Sequence, residues 1–301
     1  MNHIHFANPG GITKIVNVYV LTCKGGERTP GLGDYLRGCF CLLQLSKLLN
    51  LEFAMDLSRH PLSAYLKHNT AVEGVNYSNV HYYSDNNMTT DWIEVLKKKT
   101  NVNMDYLNSF IQWLNTQQGP VVSIFSNAVP FFLNYQPAGI SFIRSHIEPN
   151  DELTQSVTHA LNALRLEPKN FSVIHIRAGD QFFNPGGVID MTFVEKIKTI
   201  LNEVINPSYK YLLLSDSNEL KRYLTCYNNM HMMFKPIEHL GGDCLNTSNA
   251  NGIRNTLLEF YLMAQSNSIL SVTVYHHISG FSQYCSVLNN IPFKYIRLYN
   301  K

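Results

Sequence analysis

Short apolar strands alternate with amphipathic helices through the second half of the chain, and this alternation restricts the possible folds more than any other sequence feature. Asp151 is placed to cap a helix with apolar residues at helical spacing, and Thr192 with Glu195 has the pattern of a capping box that opens another helix. Such a chain folds as an α/β structure with a mostly parallel sheet and helices on both faces. The other predicted elements are strands at 171–177, 211–214 and 268–274, a helix at 255–265 and a final helix ending near 288.

The first half opens with the same order of strand, loop and helix. Residues 14–22 alternate as a buried strand, a Gly/Pro-rich loop follows over 24–33, and Asp34 is placed to cap the next helix. The stretch 60–120 is polar and weakly periodic, so its elements are less strongly marked. In this stretch and just after it we predict helices at 91–99 and 104–117 and a strand at 121–125.

The length of the chain, 301 residues, is enough for two domains of similar size. Proline residues near 140–150 mark the boundary, so we predict one lobe over 1–145 and a second over 146–301. The charged fraction of 15% and the net charge of +2 are those of a folded protein. This mild charge argues against nucleic acid or an anionic membrane as a partner.

The sequence contains no apolar run long enough to span a bilayer, and its N-terminus does not resemble a signal peptide. We therefore expect a soluble, cytoplasmic protein. The six cysteines include no Cys-x-x-Cys pair, so a zinc knuckle is not expected. No feature of the sequence indicates the oligomeric state.

Residues 175–180, His-Ile-Arg-Ala-Gly-Asp, form a polar block at the end of a predicted strand. Alternation puts His175 and Arg177 on one face of that strand, and a guanidinium group matches a phosphate through two parallel hydrogen bonds. Gly179 allows a sharp turn, after which Asp180 can hold the arginine. The residues support a phosphate site and an Arg–Asp pair that stabilises a turn about equally.

Two further clusters occupy similar positions between a strand and a helix. Ser279, Gly280, Phe281 and Ser282 offer hydroxyl and backbone N–H groups for a phosphate, although capping of the last helix by a serine is favoured from these residues alone. Near the start, Gly31, Gly33 and Asp34 precede Arg37 by one turn, but the pattern lacks the third glycine of a dinucleotide fingerprint and also fits a plain turn. Asp216 and Glu259 are candidate ligands for sugar or ribose hydroxyls.

Taken in this order, the clusters resemble the fucosyltransferase superfamily that uses GDP-fucose, which includes the α1,2-, α1,6- and protein O-fucosyltransferases. The His-x-Arg-x-Gly-Asp block is the most specific match and is most similar to the α1,2 branch. The chain departs from the usual pattern at Ala178, where relatives often have a basic residue, and at Asp34, where they often have Asn. The matching residues are 31–38, 175–180, 214–216, 259–266 and 279–282, which cover most of the second half and one block of the first.

The resemblance implies a GT-B fold, with two Rossmann-like lobes that face a central cleft, an acceptor-side lobe over 1–145 and a donor-binding lobe over 146–301. It implies transfer of fucose from GDP-fucose to a hydroxyl group of a glycan acceptor, with inversion at the anomeric carbon and no required metal or other cofactor. Arg177 would hold the donor β-phosphate and stabilise the leaving diphosphate. The residues implied in donor binding are Gly31, Gly33, Arg37, His175, Arg177, Asp180, Asp216, Glu259, Ser279, Gly280, Phe281 and Ser282.

The general base is less well defined. Asp34 is the first candidate, followed by Glu27 and Asp180. Two other functions remain open: the same fold with another hexose on GDP or UDP as donor, and a non-catalytic protein that binds a glycan or nucleotide. The presence of Arg177, Asp180 and Ser282 argues against the non-catalytic alternative.

Overall fold

The computed structural model of the chain describes residues 6–83, 104–127, 135–183, 188–242 and 250–298. In this part of the chain, none of the helices combines the length and apolar character needed to cross a membrane.

The described residues belong to two compact units. The first lies within Met1–Pro149 and Leu240–Ser248, and the second lies within Asn150–His239 and Asn249–Lys301. The chain therefore passes into the second unit after Pro149 and returns to the first for a short segment from Leu240. Strand–helix alternation gives no sign of this return, because the contacts of that segment join residues far apart in sequence.

The first unit is a parallel sheet with helices. Its strands are β1 (Lys14–Val18), β2 (Glu52–Asp56), β3 (His81–Tyr83) and β4 (Val121–Ser126), and its helices are α1 (Leu32–Leu48), α2 (Met104–Asn115) and α3 (Pro137–His146), with short 3-10 helices at Pro61–Tyr65 and Tyr77–Asn79. The strand order is β2-β1-β4-β3, and every pairing is parallel. β1 is buried from Ile15 to Val18, as expected of an apolar strand in the middle of a covered sheet.

The second unit has a larger parallel sheet. Its strands are β5 (Ser172–Arg177), β6 (Tyr211–Ser215), β7 (Met230–Met232), β8 (Ser268–Thr273) and β9 (Phe293–Arg297). Its helices are α4 (Asp151–Ala163), α5 (Met191–Val204), α6 (Asn218–Tyr223), α7 (Ala250–Ala264) and α8 (Gly280–Asn289), with a 3-10 helix at Asp180–Phe183. The strand order is β7-β6-β5-β8-β9, again with parallel pairings throughout.

Burial in the second sheet follows the alternation of β5. Ile174 and Ile176 pack into a core cluster with Val194 and Ile197 of α5 and Leu220 of α6. The side chains that alternate with these isoleucines are His175 and Arg177, which therefore lie on the opposite face of the sheet. The sequence predicted that His175 and Arg177 lie on one face of β5 and the isoleucines on the other, and this packing agrees with it.

The predicted elements can be compared with the structure. The predicted helix at 104–117 and strand at 121–125 are confirmed as α2 and β4, whereas the predicted helix at 91–99 lies outside the described residues. The first strand ends at Val18, four residues earlier than the alternation of apolar residues predicts. Several short or edge elements were not predicted, and these are β2, β3, β7, β9, α3 and α6.

The two predicted N-caps of the second unit are wrong. Asn150, rather than Asp151, caps α4, because its side chain accepts a hydrogen bond from Leu153 N at 2.9 Å. The cap of α5 is Asp190, which accepts from Thr192 N at 2.9 Å, so the predicted capping box does not form. In both helices a suitable side chain one or two residues upstream caps the backbone N–H groups first.

Both sheets contain a point at which the strand order changes direction. In the first sheet this point lies between β1 and β4, and in the second it lies between β5 and β8. The carboxyl ends of the strands beside such a point leave a crevice, which is where open α/β sheets bind ligands. The polar block 175–180 begins on β5, at one of these positions.

Candidate functional site

Arg177, the last residue of β5, is held by two carboxylates. Its Nη1 donates to Asp216, which follows the neighbouring strand β6, and its Nη2 donates to Asp180. Asp216 also accepts from Ala178 N at 2.7 Å and from Gly179 N at 3.1 Å. One buried carboxylate therefore holds both the guanidinium group and the turn that follows it.

The turn after Arg177 requires a glycine. Gly179 has φ +142°, a backbone conformation that side chains disfavour, and a Cβ at this position would lie 2.3 Å from the Gln181 side chain. The 3-10 helix that begins at Asp180 directs the chain away from the strand. The predicted role of Gly179 in a sharp turn is confirmed.

Tyr275 is a member of this cluster that sequence reasoning missed. Its hydroxyl donates to Asp180 Oδ2 at 2.7 Å and accepts from Asp180 N at 2.8 Å. The centre of its ring lies 5.7 Å from the Arg177 guanidinium carbon, within the range of a cation–π contact. Tyr275 comes two residues after β8, so its position beyond the end of a strand was the available signal.

The charges of this cluster follow from its geometry. Burial by itself raises the pKa of Asp180, but the positive charge of Arg177 and the hydrogen bond from Tyr275 outweigh it and hold that pKa below its usual range. Burial, with the hydrogen bond to Asp180, raises the pKa of Tyr275 to about 12. At neutral pH the cluster therefore contains an ionised carboxylate, a protonated tyrosine and a guanidinium cation.

His175 lies on the Arg177 face of β5 but is buried rather than presented to solvent. Its ring is near that of Phe281, with centroids 5.8 Å apart, and within the described residues its Nδ1 has no hydrogen-bond partner. Burial, followed by the charges of Arg177 and Lys221, lowers the pKa of His175 to about 3. The imidazole is therefore neutral at working pH and does not supply a positive charge for a phosphate.

Glu259 forms a buried ion pair instead of lying at the surface. Its Oε1 is 3.3 Å from Nζ of Lys221, which also donates to Met233 O at 3.0 Å, and both side chains are almost fully buried. Burial raises the pKa of Glu259, and Lys221 opposes that effect. The structure therefore places this predicted ribose ligand against a lysine of α6, a residue that sequence reasoning missed.

The serine cluster lies at the start of α8. Ser279 is the N-cap residue by position, but its side chain makes no capping hydrogen bond, so the favoured interpretation of ordinary serine capping is wrong. The hydroxyl of Ser282 is buried, donates to Ser271 Oγ at 3.0 Å and lies 3.3 Å from Ser279 O. Phe281 packs against Phe260 of α7. The backbone N–H groups of the first turn are not satisfied within the helix and can accept an anion.

The glycine cluster of the first unit is part of α1. The N-cap is Gly31, with φ −71° and ψ 177°, so the prediction that Asp34 caps the helix is wrong. Asp34 lies in the first turn beside Gly33 and pairs with Arg37 at 2.6 Å, and Arg37 Nε donates to Asn127 O at 2.7 Å. A carboxylate in the first helical turn is favoured by the helix dipole.

Gly38 and Glu27 complete the sequence candidates in the first unit. A Cβ on Gly38 would lie 1.7 Å from Ser126 O, so this glycine allows α1 to pack closely against β4. Glu27 is exposed in the loop after β1, where its backbone oxygen accepts a hydrogen bond from Cys23 N at 2.9 Å. Gly38 therefore has a packing role, whereas Glu27 is exposed to solvent.

Two parallel α/β units, each with polar residues at the carboxyl edge of its sheet, give the chain a fold of the GT-B glycosyltransferase class. Solved structures that share this fold include fucosyltransferases, and the predicted α/β fold of the GT-B class is confirmed.

One of them is the α-1,6-fucosyltransferase NodZ co-crystallised with GDP, with a TM-score of 0.54 and 10% identity over 92% of each chain. Fucosyltransferase NodZ from Bradyrhizobium gives 0.52 at 10% identity over 92% of this chain and 93% of its own. Arabidopsis thaliana FUT1, in a variant complexed with GDP, gives 0.53 at 10% identity over 100% of this chain and 73% of its own. No protein-family model and no curated protein sequence matches the chain.

Proposed function

We propose that this protein is a glycosyltransferase that moves fucose from GDP-fucose to a hydroxyl group of a glycan acceptor, with inversion at the anomeric carbon and without a required metal. The observation that carries the proposal is Arg177, an arginine held at the carboxyl end of β5 beside the change in strand order. Solved proteins with the same fold are fucosyltransferases, two of them in complex with GDP. We assign donor binding to the second unit and the acceptor side to the first.

In the proposed reaction an acceptor hydroxyl attacks C1 of the donor sugar and GDP leaves. Negative charge then develops on the diphosphate, and a preorganised cation stabilises it without rearranging during the step. Arg177 fits this role because Asp216 holds one edge of its guanidinium group in place. The first-turn N–H groups of α8 follow the neighbouring strand β8 and supply a second source of positive potential.

Asp34 is our first candidate for the general base, ahead of Glu27 and Asp180. The lowered pKa of Asp180 makes that carboxylate a weak base. Replacing the base in Asp34→Asn is expected to lower kcat by about a hundredfold, while the Kd for GDP stays unchanged. Equal activity of Asp34→Asn and wild type would remove Asp34 from the reaction.

A nucleotide panel tests the donor. GDP and GDP-fucose should raise the melting temperature, whereas UDP, ADP and their sugars should not, because only a bound ligand stabilises the folded state. Stabilisation by UDP or a UDP-sugar alone would assign a different donor to the same fold. Hydrolysis of GDP-fucose without an added acceptor, followed by release of GDP, separates an enzyme from a non-catalytic binding protein. A crystal structure with GDP-fucose should then show Arg177 in contact with the β-phosphate.

A further inference from the structure

The two carboxylates on Arg177 are held very differently. The side chain of Asp216 is 3% exposed and accepts two backbone N–H groups in addition to the arginine. The side chain of Asp180 is 69% exposed and lies just after Gly179. An anion that reaches Arg177 therefore meets one partner that is locked into the structure and one that is able to move.

Tyr275 offers the mobile carboxylate a second partner. Its hydroxyl donates to Asp180 Oδ2 at 2.7 Å, while Arg177 donates to the other oxygen, Oδ1. The same hydroxyl accepts from Asp180 N at 2.8 Å, which keeps the tyrosine beside the backbone of Asp180. A carboxylate that leaves Arg177 therefore keeps one hydrogen bond and does not have to be solvated completely by water.

We propose that Asp180 is an internal stand-in for the donor diphosphate, and that Tyr275 is a positioning residue that retains Asp180 when the diphosphate takes its place on Arg177. This inference rests on the proposed function, because it takes GDP as the source of the diphosphate. Without a ligand, Asp180 occupies the Nη2 edge of the Arg177 guanidinium group, while Asp216 holds Nη1. With the product bound, the same carboxylate competes for Nη2 and so favours release of GDP.

The stand-in makes an unusual prediction for a residue inside a binding site. Removing its charge in Asp180→Asn should tighten the binding of GDP and of inorganic pyrophosphate by about twofold to fivefold, the range expected of an exposed ion pair that no longer has to be broken. Binding of guanosine, which has no phosphate, should not change. In steady state the same variant should show stronger inhibition by the product GDP.

Tyr275→Phe should act in the opposite direction. Without the hydroxyl, a displaced Asp180 loses its remaining partner, so the Kd for GDP should rise by about threefold. In the Asp180→Asn background, Tyr275→Phe should have no effect, because no carboxylate is left to retain. Such non-additivity identifies two residues that act through one contact.

Isothermal titration of GDP, pyrophosphate and guanosine into wild type, both single variants and the double variant tests the proposal. Asp151→Asn and Tyr209→Phe are matched controls, since both residues are exposed in the second unit outside the cluster. Unchanged or weaker GDP binding by Asp180→Asn overturns the stand-in and leaves the proposed function intact. If the protein does not bind GDP but pyrophosphate binds more tightly to Asp180→Asn than to wild type, the stand-in is supported and GDP-fucose is overturned as the donor. Failure of wild type to bind either ligand overturns both.

Discussion

Each unit of this molecule contains an arginine and an aspartate three residues apart near the carboxyl edge of its sheet. In the first unit the pair is Asp34–Arg37, within one turn of α1. In the second it is Arg177–Asp180, across a turn that follows β5. The second pair has an additional partner, Asp216, which comes from the next strand, 39 residues along the chain.

This additional carboxylate makes the environment of Arg177 different from that of Arg37. Asp34 and Arg37 have side chains that are 36% and 20% exposed, and solvent screens such pairs strongly. The 3% exposed Asp216 instead holds an arginine and two backbone N–H groups at once. The comparison indicates that a buried carboxylate contributed by a neighbouring strand fixes the position of the Arg177 guanidinium group, as the proposed role in binding a diphosphate requires, whereas sequence spacing alone does not.

The largest expected effect follows from removing Arg177. We expect Arg177→Ala to lower turnover of GDP-fucose by at least about a hundredfold, because the loss of one preorganised charge typically costs roughly 3–4 kcal/mol of transition-state stabilisation. Steady-state kinetics, with circular dichroism as a check on folding, measures the effect. Arg222→Ala, at an exposed position on α6, is the matched control and should retain wild-type turnover. Normal turnover in Arg177→Ala would end the proposed role of this arginine.

Asp216→Asn tests whether the buried carboxylate is the anchor. The variant removes one of the two carboxylates that contact Arg177 and the negative charge that faces two N–H groups, so the free energy of unfolding should fall by about 2–3 kcal/mol. Urea denaturation followed by far-ultraviolet circular dichroism measures the change. Asp151→Asn removes the same charge from an exposed position and should change it little. A loss below about 0.5 kcal/mol at Asp216 would make the two Arg–Asp pairs equivalent.

The sequence predicted what depends on local spacing. Alternation along β5 predicts that His175 and Arg177 share one face, and Gly179 predicts the turn. Both features are present in the structure. The roles of Asp216 and Tyr275 were not predicted, because each depends on which strands become neighbours. From its position at a strand end, Asp216 was assigned to sugar or ribose hydroxyls. In the structure its carboxylate accepts hydrogen bonds from Arg177 and from the backbone of the turn. The pairing of Lys221 with Glu259 joins two helices and leaves no local pattern.

Buried histidines allow a comparison of the two units under acid. Burial lowers the pKa of His175 to about 3 in the second unit, and it does the same for His60 in the first. Between pH 6.5, the ordinary pKa of histidine, and about pH 3, each of these histidines is protonated in the unfolded chain but neutral in the folded chain. The stability contributed by each neutral histidine is therefore present above pH 6.5 and is lost as the pH falls.

His175→Gln should remove the contribution of one histidine proton to the pH dependence of stability. The slope of unfolding free energy against pH between 6.5 and 3 should decrease by up to about 1.4 kcal/mol per pH unit, whatever the variant does to stability at neutral pH. Urea titrations at a series of pH values provide the slope. His159→Gln, at an exposed position on α4, controls for the substitution itself. An unchanged slope in His175→Gln would show that His175 takes up its proton while the protein is folded.

The smallest effect is expected at Arg37, the counterpart of Arg177 in the first unit. Arg37→Ala removes a screened ion pair and one hydrogen bond to Asn127 O, so the free energy of unfolding should fall by only about 0.5–1 kcal/mol. Arg37→Lys keeps the charge beside Asp34 but lacks the planar fork that reaches Asn127 O, and so separates the two contributions. If Lys restores stability, the ion pair carries the effect, and if it does not, the contact with Asn127 does. A loss of 2–3 kcal/mol in Arg37→Ala, as large as that expected for Asp216→Asn, would mean that a helical pair is held as firmly as one anchored by a neighbouring strand.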